Sequence, residues 1–483
     1  MNKILIIKVI ISFFTLLTLL YSCKKNESIV NIRTPNIIFI LADDLGYGDL
    51  SSQGQTKFQT PNIDKLAKEG INFTQHYSGS TVCSPSRSVL LTGQHTGHTP
   101  IRGNKRDGAN GNWPMSAEAI TVAEILKENG YITGAFGKWG LGYPGSEGDP
   151  NKQGFDEFFG YNDQTLAHNY YPYFLNHNQD TVWLEDNAEN RTGTYAPITI
   201  HEQALKFMED NKDRPFFMYY PSVIPHAELF APEQYMAKYR GKFLPEKEFK
   251  GDDEGTPRYK RGGYVSQPES HAAFAAMINL LDNQVGEILD KLKKLGIDEN
   301  TIVIFSSDNG PHLEGGADPD YFDSNGPFKG YKRDLYEGGI RMPMLVRWPG
   351  KIAAGKKNDH VSAFWDFLPT AAEIAGAKIP ENIDGISYLP SLVGEGEQKK
   401  HKYLYWEFHE KNGRLAIRQD EWKLVRYDVF NPEKTTTELY NLINDPGEEN
   451  NVAKANPEII SKMLQLLESA RIPSEDFKFE PKK

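Results

Sequence analysis

Cysteine is almost absent from this chain: 483 residues carry two, Cys23 and Cys83. Cys23 lies at the edge of an apolar N-terminal run, so no disulfide framework staples the fold and Cys83 has no evident partner. A surplus of positive charge is also lacking. The formal net charge of −11 excludes bulk attraction to nucleic acid or to an anionic membrane surface. An anionic substrate would therefore have to meet a local cluster of Lys and Arg. Low-complexity tracts and internal repeats are missing too. What is there is 39% hydrophobic and 25% charged, an ordinary globular balance over a length that suggests two or three domains.

The N-terminus stands apart. Lys3 and Lys8 precede an apolar run from Val9 to Leu20 that is too short for a comfortable membrane span and reads as an export signal. Leu20-Tyr21-Ser22-Cys23 resembles a bacterial lipobox, although Tyr21 is larger than the residue usual there. Cleavage would leave a lipid-modified Cys23, the alternative being a plain signal peptide that contains a cysteine. Residues 1–22 are thus expected to be the signal and 23–34 a polar tether. The destination is the bacterial cell envelope, in the periplasm or as an outer-membrane lipoprotein held to the membrane through Cys23.

Asn36-Ile37-Ile38-Phe39-Ile40-Leu41 is a continuous apolar run, the pattern of a strand covered on both faces, and it leads to Ala42-Asp43-Asp44. The pattern then predicts a helix over 62–69, a strand over 71–76 and a helix starting just after Cys83, with Pro85 in its first turn. A helix over 122–129 and a strand over 131–136 deliver Gly137-Lys138-Trp139-Gly140. A helix over 200–211 and a strand over 215–220 lead to Pro225-His226. The longest amphipathic helix covers 271–295, with Phe274, Ile278, Leu281, Val285, Ile288 and Leu292 at helical spacing. A buried strand over 301–305 ends in Ser306-Ser307-Asp308-Asn309-Gly310, and a strand over 344–348 and a helix over 364–375 follow. This alternation predicts an α/β fold with a large, mostly parallel sheet flanked by helices. Past Gly376 a connection rich in Pro, Gly and charge gives way to short antiparallel strands over 403–408, 415–419, 422–427 and 438–441, and a helix over 458–470. The expected organisation is a main domain over 35–376, then the connection and a smaller C-terminal α+β subdomain over 377–483.

Two buried strands thus end in oxygen ligands, Asp43 and Asp44 on one and Asp308 and Asn309 on the other. Open α/β sheets collect ligands at the carboxyl ends of their strands. Three carboxylates and an amide oxygen suit a hard cation such as Ca²⁺ or Mg²⁺, although each pair alone is an ordinary turn former. Between them lies Cys83-Ser84-Pro85-Ser86-Arg87, continuing into Ser88-Val89-Leu90-Leu91-Thr92-Gly93. An unpaired cysteine here is buried filler, a thiol nucleophile, a metal ligand or a residue awaiting modification.

Cys-x-Pro-Ser-Arg followed by Leu-Leu-Thr-Gly resembles the signature of the type I sulfatases. The order and spacing of Asp43-Asp44, Cys83 and Asp308-Asn309 resemble that family from Asn36 to about Gly376, and the later unit resembles its C-terminal subdomain. The resemblance implies an alkaline-phosphatase-like fold. It also implies that Cys83 is oxidised to formylglycine, whose hydrated aldehyde attacks sulfate esters, and that Asp43, Asp44, Asp308, Asn309 and the modified Cys83 bind one Ca²⁺. A hydrated aldehyde has a second hydroxyl that can expel sulfate after the first has accepted it, so turnover avoids a difficult hydrolysis. Arg87 matches the arginine that reaches back to the aldehyde, and Lys138 and Lys332 match lysines that bind sulfate. Lys329 and Arg333 lie close enough in sequence to compete for the second assignment. Many family members have histidine two residues after the first lysine. Here Gly140 stands there, which leaves proton transfer at the aldehyde without its usual partner and points to a different subgroup. His226 matches the histidine that protonates the leaving alkoxide. His168, His312 and Arg102 are candidates for lining the substrate pocket, with a structural role as the alternative for the two histidines.

The function implied is an exported sulfuric-ester hydrolase acting on a sulfated carbohydrate, such as algal ulvan or carrageenan, or a glycosaminoglycan. Its partners would be the sulfated oligosaccharide and a formylglycine-generating or sulfatase-maturating enzyme. One alternative is a phosphonate or phosphate ester hydrolase of the same superfamily, for which more positive charge or a second metal would be expected. The other is an inactive lipoprotein that binds sulfated glycans, towards which Gly140 points.

Overall fold

The computed structural model describes residues 34–259 and 262–481. The expected signal, Cys23 and nearly all of the tether lie outside the described residues. Among those described, eleven strands form one mixed sheet and four more form a second. The large sheet contains β1 (Asn36–Ala42), β2 (Ile71–Tyr77), β3 (Ile132–Lys138), β4 (Glu157–Tyr161), β5 (Phe174–His177), β6 (Asp180–Trp183), β7 (Phe216–Pro221), β8 (Thr301–Ser307), β9 (Arg341–Arg347), β10 (Lys356–Asn358) and β11 (Ser362–Ala363). Their order in space is β10-β2-β9-β8-β1-β7-β3-β4-β5-β6, with β11 also on β2. At the centre β8, β1, β7, β3 and β4 are parallel neighbours. The pairs β9 with β8, β2 with β9, β5 with β4 and β6 with β5 are antiparallel. The parallel core agrees with the sequence pattern, and the antiparallel flanks add to it.

The continuous apolar run of β1 has a direct cause. Ile37, Phe39 and Leu41 point to one face, packing with Val89, Leu90 and Leu91 of the Cys83–Thr92 helix and with Phe367 and Leu368 of the Phe367–Ala375 helix. Ile38, Ile40 and Ala42 point to the other face, towards the Ala196–Asp210 and Ser270–Leu295 helices. Both faces are covered, so polar alternation would cost stability at every second residue. Burying each such side chain stabilises the fold by roughly 1.5–3 kcal/mol. The observed strand β3 runs on to Lys138, two residues beyond the predicted end, so Lys138 is delivered by the sheet rather than by a loop. Strands β4 to β6 carry no clear sequence signal: Gly160 interrupts β4 and the residues of β6 are largely exposed.

The second sheet is a meander, β12 (Leu404–Phe408), β13 (Arg414–Gln419), β14 (Trp422–Tyr427) and β15 (Thr436–Asn441), all antiparallel. One face packs Tyr405, Ile417 and Leu424 against Met463 and Leu467 of the Pro457–Ser469 helix. The other face sends Trp406, Ala416 and Val425 into the main core. Buried Lys423 bridges Glu337 and Glu448 at 2.8 and 2.9 Å, which ties β14 to the segment just beyond Lys332.

Candidate active site

Strands β1 and β8 lie side by side in parallel, with Ala42 opposite Ser307. Asp43-Asp44 and Asp308-Asn309 therefore emerge together at the carboxyl edge of the sheet, and all four residues are fully buried. Asp308 N–H donates to the Ala42 carbonyl at 3.1 Å, and Asp44 N–H donates to Asp308 Oδ1 at 3.1 Å. Asp44 adopts the left-handed region with φ 65°. Asn309 Nδ2 donates to Asp44 Oδ1 at 2.6 Å, while Asn309 Oδ1 is buried without a partner. Ligand atoms of Asp43, Asp44, Cys83 and His226 fall within 4.8 Å of one another.

Cys83 is the first residue of its helix, after Val82 in extended conformation. Its Sγ lies 3.4 Å from Asp43 Oδ1. Burial and the neighbouring Asp43 charge push the thiol well above its ordinary value, so as a cysteine it stays protonated and is a poor nucleophile. Ser86 Oγ bonds the Asp308 carbonyl at 2.5 Å and pins the helix to the end of β8. Arg87 grips Asp308 Oδ2 through Nε and Nη2 at 3.2 and 2.8 Å. It also donates to the Lys138 carbonyl at 2.6 Å and sits 3.6 Å from Asp43. The arginine expected to reach the aldehyde thus fixes two acidic groups beside position 83.

Lys138 Nζ donates to Asp43 Oδ2 at 2.7 Å, and Lys332 Nζ donates to Asp44 Oδ2 at 2.8 Å. Burial alone would raise Asp43, yet Lys138, Arg87 and Lys332 hold its carboxyl well below the usual range. Lys332 also lies 3.1 Å from His226 Nε2. His226 Nδ1 is 2.5 Å from the Ala227 carbonyl, which places the hydrogen on Nδ1 and leaves Nε2 facing Lys332 and Asp44. Burial, Lys332 and the neighbouring His168 push His226 well below its ordinary value.

Of the three pocket candidates, two join the site. His168 stacks on His226 with centroids 4.5 Å apart and also on Tyr264 at 5.5 Å. His312 lies 5.5 Å from His226, centroid to centroid. Arg102 does not join them, and that expectation is corrected. It is buried, donating to the Thr99 and Ile472 carbonyls at 3.1 and 2.7 Å and lying 3.7 Å from Glu407. A guanidinium so enclosed clamps the main unit to the C-terminal segment. Gly140 has φ 78°, and a Cβ there would approach Gln164 Oε1 at 3.3 Å and Ser84 Oγ at 3.4 Å. The backbone at this position favours glycine, and Gln164 and Ser84 fill the space beside it. Gln164, Tyr264 and Glu314 were not singled out from sequence, and Ser86 was read only as part of the Cys83 motif. Of the first three, only Glu314 had a usable signal, since it follows Asp308-Asn309-Gly310-Pro311-His312 closely.

The pattern that defines the family described as Sulfatase matches residues 35–377. The chain belongs to the sulfatase family. A second pattern, N-sulphoglucosamine sulphohydrolase, C-terminal, matches residues 326–472. This sulfatase is 32% identical to arylsulfatase A of Homo sapiens, over 90% of this chain and 88% of that protein. It is 29% identical to N-acetylgalactosamine-6-O-sulfatase of Bacteroides thetaiotaomicron, over 91% of this chain and 94% of the relative. Among solved structures, Ps i-CgsB in complex with k-i-k-neocarrahexaose superposes with a TM-score of 0.74 at 30% identity, covering 90% of this chain and 92% of that one. The alkaline-phosphatase-like expectation of a large, mainly parallel sheet with a separate antiparallel C-terminal sheet agrees with this likeness.

Proposed function

We propose that this sulfatase is an exported enzyme that removes sulfate from a polysaccharide fragment, using a formylglycine made from Cys83 and one Ca²⁺ ion. The observation that carries the reading is the 3.4 Å contact of Cys83 Sγ with Asp43, inside a buried group of oxygen donors ringed by Arg87, Lys138 and Lys332. The donor set fits a hard cation: three carboxylates, and an amide oxygen on Asn309 that is buried without a partner. Asp43, Asp44, Asp308 and Asn309 would hold it, and a bound Ca²⁺ would polarise the ester and offset charge in the transition state. A hydrated aldehyde at position 83 would supply the attacking oxygen.

The chain's own residues account for the rest. Arg87 holds Asp308 through paired hydrogen bonds and faces Asp43 as an ion-pair neighbour at 3.6 Å. Lys138 and Lys332 bring ammonium groups to the place where sulfate oxygens must lie. His226 has its Nδ1 fixed, so Nε2 is the atom that holds or gives a proton at the departing oxygen, and Lys332 can restore it. Sugar alkoxides leave poorly, so such a proton is worth about 10²–10⁴-fold in rate. A sulfated carbohydrate as substrate is supported by relatives and neighbours whose names include N-acetylgalactosamine-6-O-sulfatase and a neocarrahexaose complex. Carrageenan, ulvan and glycosaminoglycan fragments are the candidates. Export to the envelope with a lipid on Cys23 rests on the N-terminal sequence, and labelling with a fatty acid that Cys23→Ala abolishes would test it.

The decisive experiment pairs intact-mass measurement with sulfate release from a panel of sulfated sugars, using protein made with and without a maturating enzyme. Turnover should track conversion of Cys83. Cys83→Ala should be inactive, and Cys83→Ser should stall as a sulfated serine visible by mass. Sulfate release by Cys83→Ala at the wild-type rate would sink the reading. Preferential cleavage of phosphonate or phosphate monoesters would point to the other hydrolase class.

A further inference from the structure

Two buried acceptors face each other beside His226. The His312 side chain is buried, and its Nε2 lies 3.2 Å from the Pro225 carbonyl. A carbonyl only accepts, so Nε2 carries a hydrogen, and in the neutral ring Nδ1 presents a lone pair. That Nδ1 has no hydrogen-bond partner. It lies 3.6 Å from Glu314 Oε2, which has none either. The second oxygen of Glu314 is gripped by Arg333, so the carboxylate is fixed and cannot turn away to find a donor. Each unpaired acceptor costs about 1–3 kcal/mol when buried, and with the ring neutral neither can relieve the other. Donors supplied from outside the chain would satisfy both.

Their location says what those donors belong to. The His312 ring is 5.5 Å from that of His226, and Arg333 follows Lys332, whose Nζ touches His226 Nε2. The acceptor pair therefore lies on the His226 side of the site, the side from which the alcohol would leave. We propose that His312 Nδ1 and Glu314 Oε2 read free hydroxyl groups on the leaving sugar, next to the carbon that bears the scissile sulfate. The inference rests on the carbohydrate sulfatase reading above and narrows it to a substrate class. Adjacent ring hydroxyls donate one hydrogen bond to each acceptor. A second sulfate or a carboxylate at that place brings only acceptors, leaves Nδ1 and Oε2 unpaired and adds repulsion against Glu314. Substrates with an unmodified neighbouring hydroxyl are accepted, and densely sulfated rings are rejected.

The test uses converted full-length enzyme and three kinds of ester. One is 4-nitrophenyl sulfate, which offers no hydroxyl. Another is whichever singly sulfated galactose or N-acetylgalactosamine the enzyme accepts, and the last is that sugar with the neighbouring hydroxyl sulfated or replaced by hydrogen. Wild type should favour the singly sulfated sugar over both altered sugars by at least about 100-fold in kcat/KM, towards the roughly 10⁴–10⁵-fold reached by sites built to hydrogen-bond a hydroxyl. Glu314→Gln and His312→Phe should each lower the ratio of sugar to aryl ester kcat/KM by at least about 10-fold, mainly through KM for the sugar. They should also narrow the gap between singly and doubly sulfated sugars. Equal losses on aryl and sugar esters would mean that the pair only braces Arg333 and Lys332, and would overturn the inference. So would a wild type that accepts the altered sugars equally well. A converted wild type inert towards every sulfate ester would bring down the sulfatase mechanism itself, an outcome distinct from lost selectivity.

Discussion

His226 shows how one side chain's neighbours set its task. Its Nδ1 bond to the Ala227 carbonyl fixes the ring, and its Nε2 points to Lys332 and Asp44. If it protonates the leaving oxygen, the loss in His226→Gln must depend on how badly that oxygen needs a proton. The variant should lose about 10²–10⁴-fold in kcat on a sugar sulfate. On a nitrophenyl sulfate, whose phenolate leaves readily, the loss should be under about 10-fold. Steady-state kinetics on the two esters decide the matter, and equal losses would assign His226 to binding alone. Three neighbouring cations compete for the second lysine position proposed to bind sulfate, and their partners differ. Lys329 lies over the Tyr336 ring, 4.0 Å from its centroid, and Arg333 pairs with Glu314. Only Lys332 of the three turns to the acidic cluster.

At the level of elements, the site is a junction of strand ends. Strands β1 and β8 each contribute two oxygen donors, so an ion bound there would cross-link them. Chelation by EGTA should lower the melting temperature and abolish turnover, and added Ca²⁺ should restore both. Ion at 100 times its Kd stabilises by about 2.7 kcal/mol, and calorimetry with and without chelator would measure it. An unchanged melting temperature would argue that no ion is held. Strand β3 places Lys138 by close approach of backbones. Gly137 has φ 140°, and a Cβ there would sit 1.9 Å from the Pro221 carbonyl oxygen of β7. Gly137→Ala should therefore push β3 from β7 and cost about 1–3 kcal/mol in urea unfolding. It should lower kcat as well, because Lys138 moves with its strand. A variant of full stability and activity would show that the neighbouring strand yields freely.

Across the whole molecule, the C-terminal sheet braces the catalytic unit through buried charge. Glu407 on β12 accepts from Arg471 and His409 at 2.8 Å each and lies 3.7 Å from Arg102. Burial pushes its carboxyl up, but His409 and Arg471 outweigh burial and bring it from 4.5 down to about 2. A carboxyl depressed on folding contributes its full stabilisation above its unfolded value and loses it as pH falls to the folded one. The stability gap between wild type and Glu407→Gln should thus be constant above about pH 4.5 and close between 4.5 and 2. Urea titrations across that window measure it, and a gap independent of pH would remove Glu407 from the brace. Much of this protein was legible in its sequence. Buried strands announce themselves as apolar runs, helices as spaced apolar faces, and the Cys83 motif and the paired acids as local strings, because each of these signals is short-range. The sequence alone thus determined the layered α/β plan and the residue types available for chemistry. Which of them meet was decided only by tertiary packing. Asn309 reaches Asp44, 265 positions away, because β8 lies beside β1, whereas Arg102 turns to the C-terminal segment because Glu407 and the Ile472 carbonyl offer it a closed, polar berth. Side-chain direction depends on neighbours distant in the chain, and no local pattern encodes them.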